Sequence, residues 1–103
     1  MKIFRLIAAL AFLSFAVNGF AEDAKADDLY KSKCQGCHGT EGRATSIGKK
    51  LGARDFQDPE IMKMSQAERV KVISDGRNKM FAYKGKLSPE EIKALAKYIA
   101  MLK

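Results

Sequence analysis

Residues 34–38 read Cys34-Gln35-Gly36-Cys37-His38, and this stretch decides what the rest of the chain must do. Two thiols three positions apart, with an imidazole directly after the second, form the pattern for covalent attachment of a c-type haem. Each thiol can add to one of the two vinyl groups on one edge of the porphyrin, and His38 can then bring a ring nitrogen to the iron. The stretch therefore predicts one haem c, bound through Cys34 and Cys37, with His38 as an iron ligand.

Other uses of a CxxC pair fit this chain less well. Structural zinc takes about four N or S ligands, whereas the chain has two Cys and one His. A thioredoxin-like pair follows a strand in a βαβ unit, but residues 24–31 show no strand-like alternation. A disulfide between Cys34 and Cys37 would close too small a loop to stabilise much. A thiol–disulfide oxidoreductase stays as a rival function.

Residues 1–21 have the three parts of a secretory signal peptide. Lys2 and Arg5 are basic, Leu6–Val17 is an apolar core, and small residues precede a cleavage point after Ala21. The apolar run is shorter than the ~20 residues that span a bilayer. We expect cleavage, export and no stable membrane insertion afterwards, and an uncleaved short anchor is the alternative.

Residues 22–103 then form one small domain with a basic surface. Removing 21 of the 103 residues leaves 82, with 17 basic side chains against 12 acidic ones and a net charge of +5. A core of this size is marginal by itself, so we expect the apoprotein to be poorly folded. Export argues against a nucleic-acid partner. The charge suits an acidic protein partner, and an ordinary solvated lysine-rich surface is the alternative.

Helical patterns account for the mature chain and predict an all-α fold with three or four helices. Ser65-Gln66-Ala67-Glu68 and Ser88-Pro89-Glu90-Glu91 both read as capping boxes that begin helices. Apolar residues in the last helix recur at helical spacing and make one face. The predicted helices cover about Ala24 to Gln35, Pro59 to Met64, Ser65 to Asp75 and Ser88 almost to Lys103, with loops over 40–55 and 77–84.

One axial position of the iron stays open after His38. Besides several lysines, the candidates are the methionines of the mature chain: Met62, Met64, Met80 and Met101. For all of these except Met80 a packing role is the simpler interpretation, because they lie in or beside predicted helices. Met80 lies in the irregular segment between Gly76 and Gly85, far enough from His38 for the chain to pass round the porphyrin. We predict Met80 as the distal ligand.

The chain resembles the small bacterial class I cytochromes c of the periplasm. The likeness covers essentially the whole mature chain: the leader, the first helix ending in 34–39, the late loop 76–80 and the run 83–88 into the last helix. It implies a class I cytochrome c fold of three to four helices around one covalently bound haem. It also implies thioethers at Cys34 and Cys37, with His38 as proximal and Met80 as distal ligand.

The resemblance further implies that the first and last helices meet, which brings Leu29 and Tyr30 near Leu95, Tyr98 and Ile99. Two residues depart from the family. Phe81 stands where a proline usually follows the ligand methionine. The loop proline whose carbonyl steadies the proximal histidine is missing, and its nearest counterpart is Ser46, so the partner of His38 stays open.

The resulting expectation is a soluble, monomeric periplasmic electron carrier and not an enzyme. It would cycle one haem between Fe(III) and Fe(II) by outer-sphere transfer at the exposed haem edge. An acidic-faced reductase and oxidase would dock on a basic rim whose candidates are Lys31, Lys33, Lys49, Lys50, Lys79, Lys84 and Lys86. The alternative is a haem enzyme or gas sensor with an open distal iron site.

Overall fold

The computed structural model describes the chain from Ala16 to Leu102, with side chains described from Ala24 onward. Its helices are α1 (Ala16–Lys33), α2 (Gln35–His38), α3 (Ser46–Lys50), α4 (Pro59–Met62), α5 (Gln66–Asp75) and α6 (Pro89–Met101). Within this range the only β-type pairing consists of two isolated bridges, Arg77 with Met80 and Lys84 with Leu87. The all-α prediction is confirmed.

The first helix differs from its predicted limits at both ends. The sequence placed its start near Ala24, but the helix already includes Ala16, the first residue that the structure describes. Residues 16–23 hold no proline that would interrupt it. It ends at Lys33, and Cys34 then acts as the N-cap of α2. Most of the predicted signal peptide, residues 1–15, lies outside the described residues, and cleavage after Ala21 stays a prediction.

Helices α1 and α6 pack against each other and build most of the core. Tyr30 and Leu95 are each only 1% exposed, and Ala96 and Ile92 are buried beside them. The rings of Tyr30 and Tyr98 lie with centroids 5.3 Å apart, and Leu29 and Ile99 pack against the same cluster. The contact expected between the first and last helices is confirmed.

The third side of the core comes from α5, which packs on α6 through the buried Ile73. The Ser65 hydroxyl accepts a hydrogen bond from the backbone N–H of Glu68, 3.1 Å away. Glu68 does not complete the predicted capping box, because its carboxylate accepts from the Ser65 hydroxyl and not from the backbone. The box that begins α6 is complete, with Ser88 and Glu91 bonding to each other's backbone N–H groups.

The long loop predicted over residues 40–55 contains a helix that the sequence analysis missed, α3. Its N-cap is Thr45, whose hydroxyl accepts from the Gly48 N–H at 3.1 Å. The short helix predicted to Met64 ends at Met62. Segment 77–84 is non-helical, as predicted.

Candidate functional site

The two thiols and the imidazole come together because a short helix follows directly on α1. Cys37 and His38 lie in α2, and Cys34 stands at its N-cap, with the Cys34 carbonyl accepting from the His38 N–H at 2.9 Å. Both cysteines are free thiols and half-buried. This arrangement leaves both sulfurs available for bonds to a cofactor.

Burial sets the protonation states in this stretch. It raises the pKa of the Cys34 thiol to about 11 and holds the pKa of His38 below its ordinary value. At neutral pH Cys34 is therefore a thiol, and His38 is the neutral imidazole that binds metals. A thiol–disulfide enzyme needs the opposite shift, a cysteine whose pKa is lowered.

The segment after the motif is fastened onto α2 by backbone contacts. The N–H of Thr45 donates to the Cys37 carbonyl at 2.9 Å, and the Thr45 hydroxyl donates to the Gly36 carbonyl at 2.7 Å. Gly48 lies so close to the Cys37 carbonyl that no side chain would fit there. On the other side, the hydroxyl of the buried Tyr30 donates to the Gly39 carbonyl at 2.5 Å. These bonds hold the motif between α1 and α3.

The imidazole of His38 packs face to face with an aromatic ring. The His38 and Phe56 centroids lie 4.9 Å apart, with 25° between the ring planes. Nδ1 of His38 is buried and has no hydrogen-bond partner among residues 16–102. Ser46, the suggested replacement for the family's loop proline, therefore does not serve His38, because it begins α3 and that helix packs on the α2 backbone instead.

Met80 lies at the end of a tight turn. The Met80 N–H donates to the Arg77 carbonyl at 2.9 Å, and the Arg77 N–H donates to the Met80 carbonyl at 3.4 Å. Between them Asn78 adopts a φ of 54°. The Met80 side chain is half-buried and packs against the core. Tyr83, three residues on, donates its hydroxyl to the Lys33 carbonyl at 3.1 Å. The Met80 segment is therefore tied to the residue directly before Cys34.

Two of the other methionines do not have the packing role that the sequence suggested. Met62 is 61% exposed and Met101 is 58% exposed. Met62 is the last residue of the four-residue α4, and Met101 comes nine residues after Ile92, which places it on the opposite face of α6. Met64 is half-buried. Of the four candidates, Met80 is the one that packs on the main core cluster.

These residues fit a haem better than a bare metal ion. Among the described side chains no group of three or more His, Cys, Asp or Glu residues could hold an ion. Residues 34–38 instead provide two unpaired thiols and an imidazole. The hydrogen bond from Tyr83 to Lys33 ties the loop that carries the Met80 thioether to the start of this stretch. Large apolar side chains are also exposed directly after Met80 and in and after α3, as expected of surface that an apolar group would cover: Ile47, Leu51 and Phe81.

Comparisons with known proteins identify the family. The sequence profile described as cytochrome c oxidase, cbb3-type, subunit III matches residues 21–99. Cytochrome c-553 of Helicobacter pylori is 42% identical over 105 residues, spanning 96% of this chain and 98% of that protein. The chain is a small monohaem class I cytochrome c. This cytochrome is also 29% identical to cytochrome c6 of Nostoc sp. over 95% of its length and 90% of that protein.

The fold comparison agrees with the family. The solved structure of the KustC0563 c-type cytochrome superposes with a TM-score of 0.71 at 39% identity, covering 76% of this chain and 96% of that one. The cytochrome therefore carries a covalently bound haem c with iron and functions in electron transfer. No helix in the described part of the chain is long and apolar enough to cross a membrane.

Sequence reasoning missed two residues of the site. Phe56 lies eighteen positions after His38 in a segment without helical or strand period, and no local pattern places its ring on the imidazole. Tyr83 stood in a run that resembles the family, but its bond to Lys33 joins residues fifty positions apart. The one available signal was negative: the missing loop proline implied that some other residue supports His38.

Proposed function

We propose that this cytochrome is a soluble electron carrier of the periplasm, with Cys34 and Cys37 as the thioether attachments and His38 and Met80 as the axial ligands. The haem supplies a one-electron couple between Fe(III) and Fe(II). The observation that carries the proposal is the hydrogen bond from Tyr83 to Lys33, because it holds the segment of Met80 against the end of α1 that leads into the haem motif. A filled distal position favours electron transfer over substrate chemistry at the metal.

The residues around the motif have separate tasks in this proposal. His38 is kept neutral by burial and so presents a lone pair to the iron. A thioether at Met80 raises the potential relative to a second imidazole. The turn at Arg77–Met80 and the bond from Tyr83 restrain the loop, so that the ligand set need not change between oxidation states. A site that changes little between oxidation states suits an outer-sphere electron carrier.

A basic surface supports docking to acidic-faced redox proteins, a reductase and an oxidase. All seven lysines proposed for the rim are exposed. Lys31 is also paired with Asp27 at 3.0 Å, and Lys86 lies 5.9 Å above the ring of Phe81. An exposed aromatic residue among lysines suits a transient protein contact, in which charge steers the encounter and apolar area stabilises it. We propose that the carrier acts as a monomer and has no enzymatic activity.

The absorption spectrum of the haem-loaded protein tests the axial pair. We expect the weak red band of a sulfur–iron(III) bond in the wild type, its loss in Met80→Ala and its retention in Met62→Ala. Met62→Ala is the matched control because it removes an exposed methionine from the same half of the chain. Rapid carbon monoxide binding by the ferrous wild type, or a five-coordinate iron at neutral pH, would instead support the open-site enzyme or sensor.

A further inference from the structure

We propose that Phe56 positions the proximal imidazole, doing by ring stacking what a hydrogen-bond acceptor does for most histidine ligands. The inference rests on the proposed role of His38 as the iron ligand. Metal-bound histidines almost always donate the second ring N–H to a carboxylate, a backbone carbonyl or water, which fixes the ring orientation. In this cytochrome Nδ1 of His38 is buried without such a partner in the described residues. The ring face lies on Phe56 instead.

The geometry of the stack restrains rotation of the imidazole. With the ring planes 25° apart and the centroids at 4.9 Å, the two flat faces lie at contact distance. Turning the imidazole would exchange this stack for an edge-on contact and separate the two faces. The flat neighbour therefore favours one orientation of the ring through the area of contact, without the added ligand basicity that an acceptor at Nδ1–H would supply.

Phe56 can hold another ring because it is itself held from several sides. Its N–H donates to the Gly42 carbonyl at 2.8 Å, and its ring lies against Gly42, where any Cβ would strike it. Next along the chain, the Asp55 carboxylate accepts from the Ala44 N–H at 2.7 Å and fixes the loop. The Phe56 ring also meets Tyr30 with centroids 6.4 Å apart. The line of contacts runs from the buried α1 core through Phe56 to His38.

Proton NMR of the ferric haem-loaded protein tests the role, because the order of the shifted haem methyl resonances follows the orientation of the axial imidazole. We expect Phe56→Leu, which keeps apolar bulk but removes the flat face, to change that order. Phe56→Tyr keeps the ring and should retain the wild-type order. Ile92→Val is the matched control, because it trims a buried α6 side chain of the main core cluster and changes neither ring of the stack.

An unchanged methyl order in Phe56→Leu would overturn the inference, and so would an equal change in Ile92→Val, which would show a general packing effect. If Phe56→Leu does not mature, the ferrous wild type decides the question. Nuclear Overhauser effects between the His38 and Phe56 ring protons are then expected, and their absence contradicts the stack. A wild type without His38 on the iron would remove the proposed function itself, which none of the Phe56 results would do.

Discussion

Single atoms decide how closely α3 approaches the haem motif. Gly48 is buried, and a Cβ built on it would collide with the Cys37 carbonyl. The same carbonyl accepts from the Thr45 N–H, so it cannot turn away without losing a bond. The glycine is required here by the space between two backbones, since its own conformation is ordinary helix.

Gly48→Ala should therefore push α3 off α2. We expect a loss of about 1–3 kcal/mol in the free energy of unfolding, as for other overpacked sites, measured by guanidinium denaturation of the haem-loaded protein. Gly36→Ala is the matched control, because nothing lies within 4 Å of a Cβ at that helical position. It should leave the midpoint unchanged or raise it slightly. Equal midpoints for Gly48→Ala and the wild type would show that a Cβ at position 48 can be accommodated without pushing α3 away from α2.

The Tyr83 hydroxyl is a second atom with a specific task. Tyr83→Phe removes its bond to the Lys33 carbonyl while keeping the ring. A net hydrogen bond is worth about 0.5–1.5 kcal/mol. With Met80 as the proposed distal ligand, added imidazole should therefore displace it in this variant with an affinity roughly two- to tenfold higher. Spectral titration of the ferric protein measures this. Tyr98→Phe, which removes a hydroxyl between α1 and α6, should bind imidazole like the wild type, and an unchanged affinity in Tyr83→Phe would contradict the tether.

At the scale of helices, the α1–α6 contact combines a ring pair with one charged hydrogen bond. The Tyr98 hydroxyl donates to the Asp27 carboxylate at 2.6 Å. This bond, followed by the interaction with Lys31, holds the pKa of Asp27 below its usual range. The same bond is the first cause that raises the pKa of Tyr98 to about 12. The two shifts bound the pH range over which the bond stabilises the pair of helices.

Comparing the wild type with Tyr98→Phe across pH should show both limits. Because the pKa of Asp27 is depressed, its contribution is present above the unfolded pKa of about 3.9 and is lost as the pH falls through the folded value. Because the pKa of Tyr98 is raised, the contribution is complete below about pH 10 and is lost as the pH rises through about 12. Denaturation midpoints should therefore differ most between these limits. A difference that stays constant into acid and alkali would argue against the bond.

For the whole molecule, the distribution of charge is the property with a functional consequence. The mature chain would carry a net charge of +5 before haem is added, and the proposed rim lysines are all exposed. A positive surface raises the rate at which the protein encounters anions. The increase is smaller at high salt, because counterions screen the attraction, over a distance of about 8 Å at physiological ionic strength.

Electron transfer to ferricyanide, an anion, should slow as the salt concentration rises. Reversing charge in Lys79→Glu and Lys84→Glu together should lower the stopped-flow rate roughly twofold or more at low salt. A matched double variant, Lys93→Glu with Lys97→Glu, places the same charges on the exposed face of α6 and should change the rate less. If both double variants slow the reaction equally, net charge alone controls the rate and there is no localised rim.

The local chemistry of the sequence determined the haem motif, the ends of α5 and α6, and the all-α class. Each depends on residues within a few positions of one another: the Cys34–His38 spacing, the capping residues Ser65 and Ser88, and the apolar face of α6. Short-range rules of this kind act whatever the rest of the chain does. The start of α1 was placed too late because the residues up to Ala21 were assigned to the signal peptide. The presence of α3 was missed because a helix of five residues is too short to show a helical period.

Only the tertiary structure decided what surrounds the motif. The stack of Phe56 on His38, the bond from Tyr83 to Lys33 and the close approach of Gly48 to Cys37 join residues that are eleven to fifty positions apart. No periodicity encodes such pairs, because each exists only once the α1–α6 core has brought its loops to fixed places. The sequence by itself named the groups that we propose to bind the haem, and the packed chain determined how those groups are oriented and restrained.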